Sequence, residues 1–170
     1  MKERIPTDHP LYQLFFELVS EHCDRLIGAR SSQEIRHYLS GLLVEFSHTD
    51  SVFAIRSEQG QRIESVFEML EEGDVRLKAN SFERERQVHK HVGDFVLFWS
   101  AVSPSFLERL SKAATHTMLG VGQQSYRIVS SFDHSPFDAE APLFRNLSDD
   151  YPDYALALAR VSQDANIRVA

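Results

Sequence analysis

The 170-residue chain has one cysteine, Cys23, so it can form no internal disulfide. A lone thiol suits a reducing compartment, and cytoplasmic localisation is expected. It also excludes a structural zinc site built from a cysteine cluster. Glycine and proline are scarce, at 7 and 6 residues. That is below the roughly 12% the pair contributes on average, and too few for a loop-rich β-sandwich or a disordered linker. Concentrated positive charge is missing as well. Residues 1–85 carry 10 basic and 16 acidic side chains, and residues 86–170 carry 8 and 9. Neither half is a platform for nucleic-acid phosphates. The net charge of −7 disfavours anionic membrane surfaces. The longest apolar run, Phe95–Trp99, is far shorter than the ~20 residues that span a bilayer, and the first residues lack the apolar stretch of a signal peptide.

What is present reads at helical period. Hydrophobic residues make up 42% of the chain, enough for one domain over residues 1–170. A first helix is expected over Pro10–Ile27, with Asp8 as N-cap and Gly28 just beyond its end. Its apolar stripe is Leu11, Leu14, Phe15, Leu18 and Val19. A second starts at Ser31 or Ser32, with Ser31 and Glu34 spaced as a capping box, and ends near His48 or Thr49. It buries Ile35, Leu39, Leu42, Leu43 and Phe46. Residues 50–60 read as an extended connection. A short helix over Arg62–Glu72 turns Ile63, Val66, Phe67 and Leu70 inward.

The strongest helix spans about 81–103. Asn80 and Glu83 fit a capping box, and Val88, Val92, Phe95, Val96, Trp99 and Val102 form a wide stripe. Ser103 and Pro104 then open a helical stretch to Ser130, one helix or two with a break near Gly120 and Gly122. Two more helices lie near Pro136–Asn146 and Pro152–Ala165. The expected fold is an all-α, antiparallel bundle-like array of six or seven helices.

The polar residues offer several constellations. Glu34/His37 and Glu45/His48 have the Glu-x-x-His spacing of di-iron bundles. Both pairs lie on one helix, about 16 Å apart at 1.5 Å per residue, opposite its apolar face. A solvated flank is the simpler reading. The densest group, residues 83–94, pairs Glu85 with His89 and Arg86 with Lys90 at i, i+4. His91 lies near the buried side, with Asp94 three residues on. That spacing allows Asp94 to orient a ligating or basic imidazole, or simply to satisfy a half-buried histidine.

Gly93, in mid-helix, costs about 1 kcal/mol against alanine. Close approach of another helix through Gly122 and Ser125, or room for a planar ligand, would offset it. Gly120-x-Gly122 lacks the strand and lysine of a phosphate loop. Ser125 lacks the hydrolase elbow, and Tyr126 reads as a core residue with a bonded hydroxyl. His22 and Cys23 point about 100° apart, which leaves Cys23 a half-buried structural thiol. The late aromatics Phe132, Phe137 and Phe144 suit a homodimer interface.

The segment Asn80–Pro104, with Phe-Glu-Arg-Glu-Arg leading into His-x-Gly-Asp-Phe, resembles a group of uncharacterised bacterial all-helical proteins. QQSYRIVSSFD and EAPLFRNLSD are similar to other parts of that group. The resemblance implies a bacterial, cytosolic, helical protein and carries no activity or cofactor. The polar cluster of Glu85, His89, His91, Asp94 and Tyr126 is the candidate ligand-binding site, with no metal assigned. Three functions are open. The first is a non-catalytic protein that binds a small molecule, another protein or its own copy. The second is a metal- or cofactor-dependent enzyme with a site between the 81–103 helix and the 111–130 helix, drawing on His116 or Glu45. The third is an adaptor that grips a partner helix in a groove.

Overall fold

In the computed structural model, which describes residues 6–47 and 52–167, the helical periods resolve into eight α-helices among the described residues. They are α1 Pro10–Leu26, α2 Gln33–Glu45, α3 Val66–Gly73, α4 Phe82–Val102, α5 Pro104–Ser111, α6 Thr115–Ser130, α7 Ala141–Asp149 and α8 Tyr151–Asp164, with a 3-10 turn at Gly28–Arg30. The fold is all-α, with one or two helices more than the sequence suggests. No helix of the described residues is long and apolar enough to cross a membrane.

α4 is the axis of the molecule. It packs along α6, α8 and α3, while α1 pairs with α2 and α8 and α7 lies on α6. From His91 to Ala101 every residue of α4 is buried. Such a helix has neighbours on all sides. The sequence showed a stripe, because Ser100, Asp94 and His91 interrupt the apolar positions.

The ends of the helices differ from expectation in instructive ways. At α1 the cap is His9, whose Nδ1 accepts from Leu11 N at 3.2 Å, and not Asp8. Ser32 caps α2, its Oγ accepting from Ile35 N, so Ser31 is not the capping residue. Ser81 likewise caps α4 through Arg84 N in place of Asn80. In both helices the chosen serine sits three residues before the bonded N–H, the geometry a capping hydroxyl needs. Gly28 follows α1 with φ +71°, as a residue just beyond a helix end should. Helix α2 stops at Glu45, before the expected end at His48 or Thr49; those two residues lie outside the described residues.

The 104–130 stretch breaks at Lys112, which is left-handed at φ 53°, and not at Gly120 or Gly122, which lie inside α6. Glu108 then receives both the N–H and the hydroxyl of Thr115, at 3.0 and 2.8 Å, and so anchors the start of α6. Residues 55–63 form a tight loop in which Arg56 and Arg62 bridge antiparallel and Gly60 takes φ +78°. Ile55 and Ile63 plug that loop into the core. The extended segment therefore has its partner within its own loop. α3 begins four residues later than expected, and Phe67 and, on α1, Leu14 point outward at 48% and 46% exposure. α7 starts at Ala141, five residues past Pro136, because residues 134–140 turn through their own backbone bonds.

Candidate functional site

Asp94 sits in the buried middle of α4, and its carboxylate is the most heavily bonded group there. Oδ1 accepts the hydroxyls of Tyr38 from α2 and of Tyr126 from α6, the latter at 2.5 Å. Oδ2 receives Lys90 Nζ at 3.1 Å, one turn back on the same helix. A third aromatic, Tyr151 of α8, donates to the Gly93 carbonyl at 2.7 Å. The two glycines make this possible. A Cβ on Gly93 would lie 2.3 Å from the Tyr126 ring, and one on Gly122 would lie 2.1 Å from the Tyr151 hydroxyl. The missing side chains admit tyrosine rings edge-on, not a bare helix backbone and not a ligand. The Tyr126 ring also meets Phe144 at 5.3 Å and Tyr151 at 5.4 Å.

Electrostatics follow from this packing. Burial, reinforced by the Asp94 charge, holds Tyr38, Tyr126 and Tyr151 protonated well above the ordinary tyrosine range. Burial works against the Lys90 charge, but Asp94 and the Tyr38 oxygen outweigh it and keep the ammonium protonated above its usual range. A lysine so held cannot act as a neutral nucleophile. Its Nζ also lies 5.3 Å from the centre of the Tyr38 ring. The set is a buried carboxylate held by three donors from three helices, two on Oδ1 and one on Oδ2.

The five candidate residues do not form one site. Asp94 and Tyr126 meet directly. The expected pairing of Asp94 with His91 is replaced, because two hydroxyls and an ammonium supply the carboxylate's donors. His91 packs its ring against Phe46 at 5.8 Å and Phe95 at 6.1 Å. His89 turns to α6, its Nδ1 3.2 Å from Ser125 Oγ. Burial lowers the His89 pKa, against a weaker pull from Asp74. Glu85 is half-buried beside Asp74 and Arg76; burial and Asp74 raise its pKa.

The remaining polar residues also find structural partners. Arg86 leaves Lys90 and reaches the turn that leads into α7, bonding Glu140 at 2.6 Å with its guanidinium 4.3 Å from the Phe137 ring centre. The 83–94 group thus neither lines one cavity nor faces water as a block; its inner residues join α4 to α2, α6 and α7.

A neutral histidine within hydrogen-bond distance of a serine is the beginning of a nucleophile–base pair. Ser125, however, is 1% exposed. No acyl carbon reaches its Oγ while α4 and α6 stay together. Of the further residues named from sequence, His116 is exposed at the start of α6 and Glu45 is partly buried at the end of α2. Among the described residues no group of three or more His, Cys, Asp or Glu side chains is placed to hold a metal ion.

His37 is exposed and stacks on Phe16 at 4.4 Å, its Nδ1 2.7 Å from the Tyr12 hydroxyl. Glu34 is exposed too, so that flank faces water as expected; His48 lies outside the described residues. Cys23 is fully buried, not half-buried, and burial pushes its thiol pKa up. Its neighbour His22 bonds Asp164 at 2.7 Å instead. An open surface cleft of about 420 Å³ is lined by Arg30, Asn146, Asp149 and Asp150 and shares no residue with the 83–94 group. Arg30 bridges it to Asp150.

Sequence reasoning missed Tyr38, Lys90 and Tyr151 as partners of this region. Lys90 was legible, since it precedes Asp94 by four residues on one helix. Tyr38 and Tyr151 carry no local signal.

Compared with known proteins, the chain matches no family model, no curated protein and no solved structure.

Proposed function

We propose that the protein is a non-catalytic, all-helical interaction protein of a bacterial cytosol, working through its surface and not through an interior site. One observation carries the reading. Of the large apolar side chains exposed among the described residues, the three most exposed, Phe82 at 70%, Leu77 at 66% and Phe67 at 48%, lie with Val75 at 40% within residues 67–82, while Leu14, Leu26 and Leu156 lie elsewhere. A group of exposed apolar residues is costly in water and is characteristic of binding faces. The interior residues that resemble catalytic machinery are engaged in holding helices together. The buried, high-pKa Cys23 is compatible with a reducing compartment, and the resemblance of the Asn80–Pro104 segment supports bacterial origin.

Native mass spectrometry of the protein as isolated tests the proposal. The reading expects ions at the chain mass or its whole-number multiples. A metal or small molecule retained in stoichiometric amount would overturn it. The second reading is an enzyme using the space between α4 and α6, and it has the His89–Ser125 pair in its favour. Substrate turnover that is lost on His89→Ala, with the helical content intact, would establish it in place of the first.

A further inference from the structure

We draw no further inference here: the strongest candidate, the open surface cleft lined by Arg30, Asn146, Asp149 and Asp150, has its charges already paired within the chain, Arg30 to Asp150 and Asp153 and Asp149 to Arg127, and nothing in the structure points to a ligand that would fill it.

Discussion

Asp94 and Phe82 lie twelve residues apart on α4, about 18 Å at a helical rise of 1.5 Å, and the helix treats them in opposite ways. At Asp94 a charged group is buried, and two tyrosine hydroxyls and an ammonium turn to it. At Phe82 an aromatic ring is left 70% exposed beside a satisfied serine cap. The first region places polar chemistry where water is excluded, and the second places apolar surface where water is plentiful. Each arrangement is unfavourable unless something covers it. For Asp94 the cover is inside the fold, two tyrosines and a lysine drawn from three helices. For Phe82 the fold provides none, which is why function is sought there and not at the buried carboxylate.

The largest effect should come from removing the carboxylate. Asp94→Ala leaves the Tyr126 hydroxyl buried without its acceptor and Lys90 without its counter-charge, so a loss of about 3–5 kcal/mol is expected in urea denaturation. Gly93→Ala comes next. The added methyl gains helix propensity of about 1 kcal/mol but must displace the Tyr126 ring from 2.3 Å. A net loss of about 1–3 kcal/mol should follow, read as a lower thermal midpoint.

A third effect separates the interior by pH. Folding holds the His89 pKa below its ordinary value through burial, so the unfolded chain binds the proton more readily. Its contribution to stability is present above the unfolded value of about 6.5 and is lost as pH falls from there toward the folded pKa. His89→Gln should flatten the stability profile across that window. The tyrosines act at the other end, because their folded pKa values are raised. Stability should be full below about pH 10 and decline above it as the unfolded chain ionises. The smallest effect should be Phe82→Ser. A ring so exposed contributes within about 0.5 kcal/mol to the stability of the monomer, so a large loss there would show that the ring is part of the core.

The same contrast marks what the sequence discloses. The period of Val88, Val92, Phe95, Val96 and Trp99 places α4 correctly, because helical spacing reports burial directly. Gly93 is recognisable as a site of close approach, since a mid-helix glycine needs a reason. What approaches it is not recognisable. Tyr126 and Tyr151 lie 32 and 58 residues further on, and nothing local to them points back. Asp94 reads as polar in an apolar stretch, but the nearest histidine attracts the eye while the bonds go to Tyr38, Tyr126 and Lys90. The aromatics failed for a related reason. Composition counts phenylalanines without saying which face they occupy. Phe144 falls at the buried centre of α7 contacts, and Phe82, first residue after a cap, projects from the end of α4.

The claim that Asp94 is a structural lock, and not a functional group tolerated at the fold's expense, is tested most directly by urea denaturation of Asp94→Asn. That variant keeps the shape and removes the charge. The account predicts a loss of about 1.5–3 kcal/mol, the range for hydrogen bonds to a charged group. An unchanged or higher stability would contradict it, because neutralising a buried residue retained for activity typically relieves the fold.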